Sequence, residues 1–323
     1  MSFLDYIYWP FAKVLEFFYN ISGENYIIAL FLFAIVFKLL LLPSSISQQK
    51  GTAKQQRLQP KIRRIQARFA GDQKKIQEET QALYQREGYS PMSAQGCLPL
   101  LIQMPIIMIL YRVIYSPITY ILGANKEQIA AFVKAFGIDA KNSRPELLIM
   151  DKILDPANLS KVPADLTDLA EKVADFAENF SIFGVSLTQN PNYKEFVTWS
   201  GDINWGAKLL LLIPIFSGLT ALLTSLITHI RQKKENPDMA KNPSMGCMTF
   251  GMPLMSIVFT FSFPAGIGVY WIFQNILSAV QMIVLNKIYS REKVLAKTLV
   301  VETIQRRSKE ENIKRVSTSG NEK

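Results

Sequence analysis

The chain has 323 residues, of which 49% are apolar and only 19% charged, with a formal net charge of +10. Apolar runs near the length of a bilayer core on so lightly charged a background exclude a soluble enzyme and point to an integral membrane protein. A single histidine, His229, and two cysteines, Cys97 and Cys247, leave no His/Cys cluster for a catalytic metal, there is no glycine-rich phosphate loop, and no cofactor is expected.

The first 18 residues, MSFLDYIYWPFAKVLEFF, lack the basic flank, apolar run and small-residue site of a cleavable signal. Phe3, Ile7, Phe11, Leu15 and Phe18 recur at threes and fours, so residues 1–25 are expected to hold an amphipathic helix lying on the outer interface. The first apolar span follows at Tyr26 to Leu42, and it contains Lys38. An ammonium near hydrocarbon costs a few kcal/mol or more, so Lys38 needs water, a partner, a route to the interface five residues away, or a job.

Residues 43–97 keep apolar positions Leu58, Ile62, Ile65 and Phe69, then Ile76, Leu83 and Tyr84, at helical spacing, with a Gly71-Asp72 turn between them. A hairpin of two helices is expected, about Gln48 to Ala70 and Gln73 to Glu87, with Pro60 kinking or restarting the first. The second span is Leu98 to Leu122, containing Gln103 and, in its outer part, Arg112, which is expected to snorkel toward outer headgroups. Within the long segment 123–206, Leu166, Leu169, Val173 and Phe176 suggest an acidic amphipathic helix over Ala164 to Phe180. Three further spans complete an all-α polytopic protein with five transmembrane helices: Ala207 to Thr228, Met248 to Phe263 and Gly266 to Leu285.

Charge fixes the orientation by the positive-inside bias. Residues 43–97 carry ten Lys/Arg against four Asp/Glu and residues 286–323 ten against five, whereas residues 1–25 carry one against three and residues 123–206 eight against twelve. The N-terminus is therefore expected outside and the hairpin and basic tail in the cytoplasm, where the charge points to anionic lipid or ribosomal RNA and not to DNA. The tail, residues 286–323, is expected to be a solvated, partly disordered arm.

The polar residues inside the spans form stripes. Ser217, Thr220, Thr224 and Thr228 recur along the third span; Gln274, Ser278 and Gln281 recur along the fifth, beside Asn275; the second offers Gln103. Lipid satisfies none of them, so they must face one another or water, and with Lys38 they are expected to line a shared wet cavity. Met245, Met248, Met252 and Met255 on the fourth span read more readily as packing than as a site. No span contains Asp or Glu, which argues against a proton-coupled transporter built on buried acids.

The run GYSPMSAQGCLPLLIQMPIIMILYRVIYSP from Gly88 to Pro117, with LQPKI at Leu58 to Ile62, ALYQREG at Ala82 to Gly88 and FPAGIGVYWIFQNILSAVQ at Phe263 to Gln281, resembles the YidC/Oxa/Alb family of membrane protein insertases, in its short bacterial form. The resemblance covers roughly Trp9 to Tyr289. It implies an ATP-free insertase and chaperone in the bacterial plasma membrane, with a hydrated groove open to cytoplasm and lipid and closed to the outside. It implies nascent membrane-protein segments, the ribosome and the Sec translocon as partners. In the family a first-span arginine, five residues before a proline, recruits the substrate; Lys38, five residues before Pro43, takes that place here. A lysine keeps the charge but loses the bidentate fork. The alternative from another class is an ion channel or transporter using Lys38 in an anion path.

Overall fold

The computed structural model describes residues 3–89, 98–139, 141–192, 205–235 and 243–320. The chain divides into two compact units, Met1–Leu40 with Gln103–Val280, and Leu41–Ile102 with Gln281–Lys323.

In the first unit, helix α1 (Phe3–Ile21) turns back onto α2 (Tyr26–Leu40). The reversal uses Gly23 and Glu24 with left-handed φ of 66° and 62°, and the Asn25 side chain caps the new helix by accepting from Ile28 N at 3.1 Å. Helix α2 buries Tyr26, Ala29, Leu30, Phe33, Ala34 and Phe37, one stripe at three- and four-residue steps. Against it α1 buries Ala12, Leu15 and Tyr19, and Phe11 stacks on Phe37 at 5.1 Å. The opposite face of α1 leaves Trp9, Phe17 and Ile21 exposed. A helix apolar on both sides suits a lipid interface better than water.

Helix α5 (Leu98–Tyr115) leads through the short α6 (Pro117–Tyr120) into a folded segment of α7 (Lys126–Ala135), α8 (Pro145–Ile153), α9 (Pro156–Leu159), a 3-10 turn at Ala164–Leu166, α10 (Thr167–Asn179) and a two-stranded hairpin, β1 (Ser181–Ile182) with β2 (Val185–Ser186). The amphipathic helix expected over Ala164 to Phe180 is thus present, beginning one turn later than its first residue. This segment, the cap, has its own core of Phe132, Leu147, Met150, Val173, Phe176 and Phe180. In such cores truncating one ring to alanine costs about 3–5 kcal/mol.

Glu146 is buried in the first turn of α8, where its carboxylate accepts from Thr119 N at 2.9 Å and Thr119 Oγ1 at 2.7 Å. Burial pushes its carboxyl above the usual range, while the Thr119 and Ser116 donors and the nearby Arg112 charge pull it back. Arg112 is itself exposed, and its charge acts on this buried acid. Asp151, which accepts from Ser186 Oγ at 3.3 Å and from Thr188 Oγ1, is raised for the same first cause, burial. An acid raised above its unfolded value, about 4.3 for Glu, contributes stability that is complete at low pH and lost as pH rises through the folded value. The cap is therefore expected to loosen as pH rises above the unfolded carboxylate range. Thermal melts of the detergent-solubilised protein should show this slope, and Glu146→Gln should flatten it; a Gln variant with an unchanged slope would remove Glu146 as its source.

Three apolar helices complete the unit: α11 (Trp205–Glu235), α12 (Pro243–Ser262) and α13 (Ala265–Ile288). Gly218 lets Ile257 lie directly on α11, and Gly268 admits Ile213 and Thr260 against α13. Outward rows remain uncovered, among them Leu212, Phe216, Leu219 and Leu223 on α11 and Ile276 and Val280 on α13. Contiguous apolar rows of this kind mark a membrane-facing surface. Helices stand at all five places expected for spans. Among the described residues two segments, Lys208–Arg231 and Ala265–Ile288, are each long and apolar enough to cross a membrane alone, and Tyr26–Leu40 passes together with Leu42–Lys54.

In the second unit, α3 (Leu42–Arg68) and α4 (Gln73–Arg86) follow one another across a turn at Gly71 and pack on each other; α3 begins six residues before the expected Gln48. Asp72 caps α4 by accepting from Lys75 N at 3.1 Å, Leu58 and Ile62 are buried, and Lys61 pairs with Glu87. Helix α3 runs without a break through Pro60. Pro60 lies on the exposed face, where water can serve the carbonyl that a proline N–H cannot reach. The tail is a helix, α14 (Arg291–Gly320), largely exposed, with an Arg306–Glu310 pair one turn apart at 3.5 Å. It packs on α3, near which Gln49 Nε2 donates to Asn286 Oδ1 at 2.8 Å and Lys50 sits 5.4 Å over the Tyr289 ring. The arm expected to be partly disordered is helical because Glu, Lys, Arg, Leu and Gln at this density are good helix formers.

Candidate functional site

Lys38 lies two residues before the end of α2 and is half-buried. Its Nζ donates to Ser278 Oγ on α13 at 2.7 Å. Ser278 in turn donates to Gln274 O at 2.5 Å, and Gln274 Nε2 donates to Tyr270 OH one turn further along. The result is a directed chain: ammonium to hydroxyl to helix carbonyl. An ammonium has three donors, and among the described residues Ser278 is the side chain that takes one of them. The ammonium keeps donors for a further acceptor, water or a polar group.

The remaining expected residues separate from this chain. Thr220 Oγ1 donates to Phe216 O at 2.8 Å and Thr224 Oγ1 to Thr220 O at 3.0 Å, each one turn back on its own helix. Asn275 reaches them from α13: its Nδ2 lies 3.2 Å from Thr220 Oγ1 and 3.3 Å from Ser217 O, and Thr224 Oγ1 also donates to Asn275 O at 3.2 Å. Ser217, fully buried, meets Ser256 at 2.9 Å and accepts from Thr260 at 3.2 Å. This second group ties α11, α12 and α13 together. Helices in lipid lack a hydrophobic drive to associate, so small residues and interhelical hydrogen bonds of this sort supply it.

Gln281 Nε2 is buried with no hydrogen-bond partner among the described residues. Gln103 belongs to α5, but its side chain lies outside the described part of the structure. The same holds for Met245, Met248 and Met252, while Met255 is exposed. Cys97 and the stretch 90–97 of the quoted motif also lie outside the described residues. Sequence reasoning did not single out Tyr270, Ser256 or Thr260. The signal was there for the latter two, a Ser and a Thr four apart in an apolar helix opposite the Ser217 stripe.

Comparison with known proteins decides the family. The model of the 60Kd inner membrane protein family matches residues 17–293. The chain belongs to this family of YidC-type membrane protein insertases. It is 24% identical over 283 residues to the membrane protein insertase YidC 2 of Bacillus anthracis, covering 86% of this chain and 78% of that one. It is 24% identical to the membrane protein insertase MisCA of Bacillus subtilis, over 85% of this chain and 76% of the relative. A Rickettsia bellii relative named membrane protein insertase YidC is 26% identical over 86% of this chain, but the chain spans only 38% of it. The matched region contains both Lys38 and Ser278 and excludes most of α14. Membership and apolar helices together make this a membrane protein.

Proposed function

We propose that the chain moves membrane-protein segments from the cytoplasm into the bilayer, and chaperones them there, without hydrolysing ATP. In this reading five helices cross the bacterial plasma membrane with the N-terminus outside and the C-terminus in the cytoplasm. A hydrated, lipid-open groove is lined by Lys38, Gln103, Thr220, Thr224, Gln274, Ser278 and Gln281. The observation that carries it is the Lys38–Ser278 contact at 2.7 Å: a cation held by one hydroxyl inside an otherwise apolar helix. Such a charge is costly in lipid and is kept where a polar or acidic group of a passing chain is to be attracted. Nascent membrane-protein substrates would meet it first, then leave along the apolar outer row of α13. The Sec translocon and anionic lipids are partners in the same reading, and the ribosome would bind through α14 or the α3–α4 hairpin.

Reconstitution tests this directly. Purified protein in liposomes should insert a small single-span protein without nucleotide and should pass no ions when substrate is absent. Ion flux without substrate, together with failure to insert, would favour an anion path through Lys38 and overturn the insertase reading.

A further inference from the structure

The cap touches the outer ends of the two helices that carry the Lys38–Ser278 contact. Phe180, fully buried, sets its ring 4.4 Å from the ring of Tyr26, the first residue of α2. Its Cζ also lies against Gly266 near the start of α13, where a Cβ would sit 3.3 Å away. Phe176 adds edge contacts to Tyr19 at 5.2 Å and Tyr26 at 6.0 Å. The first N–H groups of a helix lack acceptors within it. Here the cap supplies them: Ala265 N donates to Gln189 O at 2.9 Å and Gly266 N to Leu187 O at 3.1 Å.

From these anchors the lengths match. Lys38 is twelve residues beyond Tyr26, about 18 Å along a helix, and Ser278 is thirteen beyond Ala265, about 20 Å. Between the two levels Phe31 and Phe273 meet at 5.1 Å. A slip of one helical turn, about 5.4 Å, would separate an Nζ and an Oγ now at hydrogen-bond distance.

We infer that the cap is an outer clamp that sets the register of α2 against α13, with Phe180 and the Leu187 and Gln189 carbonyls as positioning groups for the Lys38–Ser278 pair. The clamp follows from the contacts alone; its consequence for insertion rests on Lys38 and Ser278 being the substrate-contacting pair. The full chain, with Cys97→Ser and Cys247→Ser, would carry Phe31→Cys and Phe273→Cys and be treated in membranes with a short bismaleimide. Adding Phe180→Ala should lower the cross-linking yield about threefold or more, within the range seen for substitutions that act on coupling from a distance.

Phe180→Leu keeps the cap filled with an apolar side chain and should keep most of the yield, which separates lost positioning from lost folding. A second variant, Ala265→Pro, removes the donor to Gln189 at a first helical position whose φ suits proline, though at a buried residue, and should lower the yield as well. Unchanged yield in both Phe180→Ala and Ala265→Pro overturns the clamp whatever insertion does. Reduced yield with insertion fully retained overturns the clamp's role at the Lys38 site. Failure of insertion in the parent chain would be a failure of the insertase reading instead, and the cross-linking result would still stand.

Discussion

Lys38→Arg is expected to support growth of an insertase-depleted cell, whereas Lys38→Leu and Lys38→Glu are not. The arginine keeps the cation and can still donate to Ser278 Oγ, now 2.7 Å from Nζ. Leucine removes the charge, and glutamate reverses it in front of the polar or acidic segment it is meant to attract. A hydrogen bond to a charged group contributes about 1.5–3 kcal/mol, so insertion yield should fall by roughly tenfold or more in both. The Leu variant carries a second signature. It removes a charge that costs a few kcal/mol near hydrocarbon, so the protein should be as stable as the parent or more so while losing function. Full complementation by both Leu and Glu at matched expression would sink the assignment of Lys38.

How much of this was legible depended on the kind of residue. Lys38 stood out because nothing else in Tyr26 to Leu42 is charged, and a lysine there must find a partner. That the partner is Ser278 was half visible, since Gln274, Ser278 and Gln281 form a polar row on the fifth span. The threonines were harder. A Thr hydroxyl in a helix can donate to the carbonyl four residues back, as Thr220, Thr224 and Thr228 all do, and so needs neither water nor a cavity. A Ser/Thr stripe alone therefore does not distinguish a wet groove from a packing seam. Asn275 made the difference, because its amide must reach outside its own helix and it reaches Ser217 and Thr220.

The cap was the least legible part. Its helix over Ala164 to Phe180 has a clear apolar row, yet nothing in the row says that Phe176 and Phe180 turn to Tyr19 and Tyr26 some 150 residues earlier. Long-range packing of aromatic rings leaves no periodic trace. The same holds for Glu146, one acid among twelve in residues 123–206, and buried only because α6 folds over it. The tail shows the opposite case: charge density suggested a loose arm, while its helix-forming residues give a largely exposed helix that meets α3.

Glycines decide how closely α11, α12 and α13 approach, and substitution there should have the largest effect on stability. A Cβ at Gly268 would sit 2.5 Å from Ile213 Cγ2 and 2.7 Å from Thr260 Cγ2. Both neighbours are β-branched and stiff, so they cannot swing away, and the backbones must separate. Separation would also strain the Thr260–Ser217–Ser256 contacts beside it. Gly268→Ala is expected to cost about 1–3 kcal/mol, the usual range for overpacking, and Gly268→Leu to prevent stable assembly of the three helices. Gly251 on α12 is the internal comparison: nothing lies within 4 Å of a Cβ there, and its φ is not in the left-handed region. Gly251→Ala should therefore be neutral or stabilising by up to about 1 kcal/mol, because alanine is the better helix former. Thermal melts in detergent, with cysteine cross-linking between α11 and α12, compare the two sites directly. Equal melting temperatures for Gly251→Ala and Gly268→Ala would mean that close approach at Gly268 does not hold these helices together.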